Sequence, residues 1–376
     1  MKKITYVFGD GRLNKLSKEN EYAKDFYYGY HLMNQNSNYK TQILELYNET
    51  ETKHKRLKLL YLFDKFLNKL TFLQFHYHEI LKKYNFKKIV NSDILIFSTD
   101  RLAISFFPIL IFKKRLKSIV ITMGLLKEHQ ELKIYQKILR PRVLKIFIKS
   151  VDKLIFLGKP EYEYALKKYP KFSNKFEFVP FAIDFKFWSD EKLDKNEFME
   201  SNQILFIGND GNRNYDFVKQ LPQFLTKFKF KFITEQILIN ENLKNVELIK
   251  GNWSKSVVND IKMREFYKES FLTILPIKNT IQPSGQSVTL QSLATGTPVL
   301  ISNFNGFWDT SKFLNNENIF FIDTFDFDIW TKRIEEIFLD QQKLAQISKN
   351  GQNLVKDYYN LEKFTKKLND LIKEIT

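Results

Sequence analysis

Short apolar runs alternate along this chain with stretches that repeat at steps of three and four. ITYVFG (4–9), DILIFS (93–98), SIVITMG (118–124) and KLIFLG (153–158) have the length and composition of strands buried on both faces, and several end in glycine where a turn must follow. Between them, Leu60, Phe63, Leu67, Leu70, Leu73, Tyr77 and Ile80 predict one long helix over about Lys55 to Lys83, with Lys65, Lys69, His76 and Lys83 elsewhere around it. The second half repeats the plan with QILFIG (203–208), KFKFIT (229–234), VELIKG (246–251), FLTILPI (271–277), PVLIS (298–302) and NIFFID (318–323). Strand, helix, strand in this rhythm implies parallel sheets with right-handed crossovers, hence an α/β chain of two doubly wound, Rossmann-like domains.

The charged stretch SDEKLDKNEFMES (189–201) lacks β-branched runs and follows the apolar VPFAIDFKFW, so the joint is expected there. The expected division is a first domain over 1–188, a second over 202–358, and a terminal helix over 359–376 that returns toward the first. A length of 376 residues suits two domains, and 43% apolar with 27% charged residues excludes a disordered or fibrous chain. The absence of cysteine excludes disulfides, thiolate metal sites and cysteine nucleophiles, and fits a reducing compartment. His31, His54, His76, His78 and His129 are scattered without zinc-helix spacing, so neither a metal nor another resident cofactor is expected. Met1 to Phe8 runs straight into a strand pattern rather than a leader. The longest apolar stretch, Leu102 to Phe112, is interrupted by Ser105 and Pro108 and falls short of the roughly 20 residues of a spanning helix. A cytoplasmic chain, peripheral to the inner face of a membrane, is the expectation.

Charge sharpens that picture. A composition rich in Lys, Phe, Ile, Asn and Tyr, as an AT-rich genome favours, would spread cations evenly, yet they are concentrated. Residues 1–190 hold 36 Lys and Arg against 19 Asp and Glu, whereas residues 191–376 hold 24 of each, so the net +17 belongs to the first half. Such a one-sided field calls for an anionic partner, a membrane rich in acidic lipid or a nucleic acid. No recognition-helix, zinc-finger or aromatic RNA-binding pattern accompanies the charge, so no nucleic acid is expected. The basic stretches Lys55 to Lys88 and Phe112 to Lys149 interleave Phe, Leu and Tyr with cations. Within FFPILIFKKRLK (106–117), Phe106 and Phe107 read as an apolar wedge and Lys113, Lys114, Arg115 and Lys117 as its cationic collar, the composition of an interfacial anchor. A core helix with a solvated basic face is the competing account.

The segment with the most chemistry is PIKNTIQPSGQSVTLQSLATGTPVLISNFNGFWD (276–309). A strand ends at Ile277, a loop follows, and Ser284, Gly285, Gln286 and Ser287 open a helix that closes before Gly296. A helix N-terminus presents unpaired N–H groups and a positive dipole end, and a glycine there admits a phosphate close to the backbone. An ordinary strand-to-helix turn is the alternative.

At these residues the chain resembles glycosyltransferase family 4, retaining enzymes of the GT-B fold. QSLATGTPV (291–299) is similar to the family's E-A-M-A-x-G-x-P-V stretch, with Gln291 in place of its Glu and Pro283 where the preceding Glu would fall. PFAIDFKFW (180–188) resembles the segment that joins the family's domains, and FIGNDGNRNYDF (206–217) its first donor-domain strand and loop, with Arg213 as the basic residue for the diphosphate. The resemblance spans about 150–330 and implies two domains facing across a cleft. It also implies a nucleotide-sugar donor whose diphosphate rests on the backbone at Gly285 and Gln286, and a ribose reached by Gln291. The missing first Glu leaves the donor sugar open. Lys278 beside the same loop either adds charge to the diphosphate or is simply solvated.

In the family the leaving diphosphate oxygen helps to take the acceptor's proton, so no strong side-chain base is required. If there is one, Asp100 at the end of DILIFS is the candidate, with a helix N-cap as the competing role. Gly11 and Gly124 at strand ends, and His129 beyond the latter, are candidates for the acceptor side of the cleft, against roles as tight turns and a helix surface. The expected function is transfer of a hexosyl group from a nucleotide sugar to a membrane acceptor, a diacylglycerol or a lipid-linked saccharide of the cell envelope. A soluble polysaccharide or lipopolysaccharide-core glycosyltransferase, a catalytically idle GT-B relative and a nucleic-acid-binding protein are the alternatives.

Overall fold

The computed structural model describes residues 1–18, 21–46, 55–112, 115–127, 131–189, 201–237, 243–251 and 257–376. The chain forms two compact units. The first comprises Met1–Lys18, Phe26–Pro180 and Phe364–Thr376, and the second Glu19–Asp25 with Phe181–Lys363.

The first unit is built on a parallel sheet of β1 (Lys2–Gly9), β2 (Tyr39–Leu46), β3 (Ile94–Phe97), β4 (Lys117–Thr122), β5 (Lys153–Phe156) and β6 (Phe176–Phe178), in the order β2-β1-β3-β4-β5-β6. The second is built on β7 (Gln203–Ile207), β8 (Lys229–Ile233), β9 (Val246–Ile249), β10 (Leu272–Leu275), β11 (Val299–Ser302) and β12 (Phe320–Ile322), in the order β12-β11-β10-β7-β8-β9. Every strand pair is parallel, so this is the α/β architecture of two doubly wound domains. The central strands β3 and β10 are buried at all four positions, which explains why their sequences read as continuous apolar runs rather than alternating ones.

Two strands, β2 and β6, are absent from the expected set. Both lie at sheet edges, where YKTQILEL carries Lys40, Thr41 and Gln42 in its first half and FEF is only three residues long, so neither presents a strong apolar signal.

The helices used below are α1 (Lys55–Thr71), α2 (Ile134–Ser150), α3 (Lys159–Lys168), α4 (Asp260–Lys268), α5 (Gln286–Thr295), α6 (Phe327–Leu339), α7 (Gln341–Tyr358) and α8 (Leu361–Ile375). The single helix expected over about 55–83 is broken. Phe72 takes a positive φ of 56° and ends α1, and a hydrogen bond from Phe75 N to Asn68 Oδ1 (2.6 Å) folds the chain back. Asp64 then receives Tyr77 N, His78 N and the His78 ring at 3.0, 3.1 and 2.6 Å, starting a separate short helix at Tyr77–Ile80. The periodicity runs across this break because both pieces bury apolar faces on the same core, which includes Leu73, Phe75 and Ile80.

In the second unit, Trp330 of α6 packs with Phe217 and β-strand residues such as Phe206 and Ile274. Burying each such side chain contributes about 1.5–3 kcal/mol. Residues 21–25 are fastened to this unit by buried polar contacts. Asp25 accepts hydrogen bonds from Asp184 N (2.6 Å), Trp188 Nε1 (2.9 Å) and Gln291 Nε2 (2.9 Å), and Ala23 N donates to Asp260 of α4 at 2.9 Å.

Burial pushes the Asp25 carboxyl from 3.8 up to about 7, against the opposing pull of the Asp184 amide and the Gln291 carboxamide. In the first unit, burial likewise raises Glu161 from 4.5 to about 7, although Leu126 N and Gly124 N donate to it. A folded-state value above the unfolded one gives stability that is complete below the unfolded value and lost as pH rises through the folded value. These two carboxyls therefore lower the stability as pH rises between about pH 4 and pH 7, each contributing a slope of up to about 1.4 kcal/mol per pH unit. Denaturant titrations across this range should show a shallower decline in Asp25→Asn than in the wild type. Equal slopes in the two proteins would remove Asp25 from this account.

Candidate active site at the switch point of the second sheet

The order of the second sheet reverses between β7 and β10, which leave in opposite directions and open a crevice at their carboxyl ends. Two loops meet there. The loop after β7 carries Asp210, Asn212 and Arg213, and the loop after β10 carries Lys278 and runs to Ser284 and Gly285. They are joined backbone to backbone: Asn214 N donates to Pro276 O and Lys278 N to Asn212 O, both at 2.8 Å, so that Arg213 bridges antiparallel to Ile277 through this pair of bonds. Side chains extend the joint, because Asn212 Nδ2 donates to Ser284 Oγ at 2.7 Å and to Gln282 Oε1 at 3.4 Å.

Arg213 is the charged centre of this region. Its side chain is only 3% exposed, and its Nη1 lies 2.9 Å from Asp210 Oδ2 in an ion pair made off the hydrogen-bonding direction. Neither Nη1 nor Nε has a hydrogen-bond acceptor among the described residues. The guanidinium fits because residue 208 is glycine, where a Cβ would stand 2.8 Å from Arg213 Nε. Leaving buried donors unsatisfied costs about 1–3 kcal/mol each, which an anionic ligand would relieve.

Ser284 leads directly into α5. Gly285 is its N-cap, with φ of 79° and no side chain of its own to close the amide end. Glycine is required by that backbone and by the floor beneath it, since a Cβ would lie 2.8 Å from Ile277 Cδ1. Ser284 and Gln286 are buried, Ser287 is half-buried and Lys278 is exposed. Deeper along α5, the Gln291 carboxamide is engaged on both sides: Nε2 donates to Asp25 and Oε1 accepts from Tyr267 Oη of α4 at 3.2 Å. Burial raises the Tyr267 phenol well above its ordinary value, which keeps it a neutral donor.

The structure thus gathers Arg213, Lys278, Ser284, Gly285, Gln286 and Ser287 on two joined loops and one helix start, with Gln291 inside a buried network. Asp210, Asn212, Tyr267 and Asp25 were not singled out from the sequence. Asp210 and Asn212 stand in the polar loop at the end of β7, a position that could have flagged them. Asp25 gives no such signal, because its partners are far away in the chain.

The remaining candidates lie in the first unit. Gly11 follows β1 with φ of 89° and Gly124 follows β4 with φ of 84°. His129 lies outside the described residues, as do Lys113 and Lys114. Asp100 is buried, its Oδ1 accepts from Met123 N at 2.8 Å, and burial raises its pKa. The helix cap at that turn is instead Thr99, whose hydroxyl accepts from Leu102 N at 3.3 Å. The wedge expected over 106–117 needs correction. Phe106 is fully buried edge-to-face against Phe97, with ring centroids 4.8 Å apart, and cannot enter a headgroup region without leaving the core. Phe107 is half-buried and packs on the same core, Lys117 pairs with Asp152 at 3.3 Å, and Arg115 is exposed.

A cavity of about 390 Å³ opens beside α2, walled by Leu125, Leu126, Leu132 and Leu144, with Lys137 and Arg140 among its lining residues. Among the described residues no cluster of three or more His, Asp or Glu side chains is placed to hold a metal ion, and no helix is long and apolar enough to cross a membrane.

No protein-family model matches the chain, and no curated protein matches it significantly. Solved structures do. A sucrose-phosphate synthase from Thermosynechococcus elongatus is similar over 100% of this chain and 99% of its own, with a TM-score of 0.67 and 12% identity. A glycosyltransferase from Rickettsia africae is similar over 100% and 98%, with a TM-score of 0.64 and 11% identity. Anabaena HepE, solved in complex with UDP, is similar over 100% of both chains, with a TM-score of 0.60 and 8% identity. The chain therefore has the two-domain α/β fold that these proteins share.

Proposed function

We propose that this protein is a glycosyltransferase that takes a hexosyl group from a nucleotide-sugar donor bound by its second unit. The observation that carries the reading is the buried Arg213 guanidinium, short of acceptors, joined through Asn212 and Ser284 to the glycine-led start of α5 at the switch point of a doubly wound sheet. A diphosphate supplies what this arrangement lacks: oxygens for the guanidinium and negative charge for the helix end. Lys278, exposed on the same loop, adds a cation at the rim. The UDP held by a structural neighbour makes a uridine nucleotide the first donor to test.

The resemblance to glycosyltransferase family 4 supports retention of configuration. In such a transfer the bond from the sugar C1 to the diphosphate oxygen breaks, the bond from C1 to the acceptor hydroxyl oxygen forms, and the hydroxyl proton passes to the leaving diphosphate. This chemistry needs no metal and no side-chain base. Asp100 then acts as a positioning residue, holding the Met123 amide at the end of β4. The acceptor we propose is a membrane-associated lipid or lipid-linked saccharide. The concentration of cations in residues 1–190 supports it, as does the leucine-walled cavity with Lys137 and Arg140 in the first unit.

Arg213→Met keeps the bulk beneath Gly208 and removes the charge. Calorimetric titration should show UDP affinity reduced by roughly 10- to 100-fold, the equivalent of losing about 1.5–3 kcal/mol of charged hydrogen bonding, with a native circular dichroism spectrum. Unchanged affinity would discard the proposed donor site. Asp100→Asn retains an oxygen for Met123 N, so turnover should stay within about threefold of wild type, a barrier change of under about 1 kcal/mol. A loss of several orders of magnitude, with folding intact, would restore Asp100 as a base.

A further inference from the structure

The burial of Phe106 leaves open which surface of the first unit meets a membrane, and α1 supplies a different one. Leu59, Leu62, Phe63 and Phe66 recur at steps of three, four and seven, on one side of the helix, and are 70%, 53%, 48% and 57% exposed. Phe63, expected from periodicity to face the core, belongs to this outward stripe. The opposite side of α1 is the packed one, with Asp64 and Thr71 buried and Leu67 against the core. Lys58, Lys65 and Lys69 are all exposed and form a row along the edge of the apolar stripe. The start of α2 is fixed to the end of α1 by Gln136 Nε2 donating to Lys69 O at 2.7 Å and Arg140 Nη1 donating to Phe72 O at 2.6 Å. It adds Ile134 and Ile138, 81% and 49% exposed and one turn apart.

We infer that this ridge, α1 with the first turns of α2, docks the protein on an anionic bilayer. Four large apolar side chains on one exposed helix face cost free energy in water and gain it in the headgroup boundary, and the adjoining lysines are placed to meet acidic lipid phosphates. The charge complementarity is specific to this unit, because the surplus of 36 cationic over 19 anionic residues lies in residues 1–190 and the rest of the chain is balanced. A second copy of the chain, itself net positive, lacks that complementarity. The ridge also bears on the acceptor, since Lys137, Arg140, Pro141 and Leu144 of α2 line the 390 Å³ cavity and a docked α2 would bring that cavity to the lipid surface. The inference rests on the membrane reading proposed above and assigns it a surface.

The test is sedimentation with vesicles of phosphatidylcholine alone or mixed with an equal amount of phosphatidylglycerol. It compares wild type, the double variant Leu62→Glu with Phe66→Glu, the triple variant Lys58→Glu with Lys65→Glu and Lys69→Glu, and Phe112→Glu. Every substituted side chain is solvent-exposed, Phe112 at 86%, so thermal unfolding and UDP titration should stay as in wild type and certify each variant. Wild type and Phe112→Glu should bind the mixed vesicles, with affinity falling as salt rises, and bind phosphatidylcholine weakly. The triple variant should lose on the order of a hundredfold in affinity for the mixed vesicles, and the double variant should lose binding to a similar degree. If wild type binds and both α1 variants bind equally well, or only Phe112→Glu is lost, the ridge is overturned while the membrane reading stands. If wild type binds neither vesicle, both fall. Self-association that the double variant abolishes, without vesicle binding, would assign the ridge to a second copy and overturn the inference.

Discussion

A buried cation with unmet donors is the constraint around which the second unit is arranged. Arg213 can sit beneath Gly208 only because that position has no side chain, and its sole ionic partner among the described residues is Asp210, which approaches off the hydrogen-bonding direction. The same donors left dry cost about 1–3 kcal/mol each, a cost that an anionic ligand would offset. The β7 and β10 loops hold the cation in place through two backbone hydrogen bonds and the contact of Asn212 with Ser284, which also sets where α5 begins. A change to either loop is therefore transmitted to the helix start.

A second polar centre lies behind the first. Asp25, Gln291 and Tyr267 form a buried chain of hydrogen bonds that fixes one face of α5 and ties residues 21–25 to the second unit. Gln291 stands where the resembling family has a carboxylate. A carboxylate there would have faced the Asp25 carboxyl across a 2.9 Å contact in a dry interior, whereas an amide donates to Asp25 and accepts from Tyr267 at once. The substitution is thus matched to its surroundings, and the ionisation of Asp25 near neutrality follows from the same burial.

Much of the fold was legible because parallel sheets covered on both faces require continuous apolar strands, and FLTILPI and DILIFS are unmistakable on that ground. The edge strands β2 and β6 were not, because an edge needs apolar side chains on part of its surface only. The end of α1 at Phe72 was hidden for another reason: periodicity records which residues face a core and not whether the backbone between them stays helical. Of the candidate site, the loop after β7 and the opening of α5 were readable, since position relative to strand ends follows from topology. The partners that shape them were not. Asn212 with Ser284 and Asp25 with Gln291 are pairs made by the folded chain, with nothing local to announce them. The burial of Phe106 shows the converse failure, in which one side chain suited to an interface is spent on the core, while Leu59, Leu62 and Phe66, not singled out in the sequence, are left in solvent.

The most direct test of the central claim is a crystal structure of the protein with UDP. The account predicts diphosphate oxygens within hydrogen-bonding distance of the Arg213 guanidinium and of the backbone amides at Gln286 and Ser287, with the Asp210 contact loosened. A diphosphate bound elsewhere, with Arg213 still held by Asp210 and the start of α5 untouched, would contradict it.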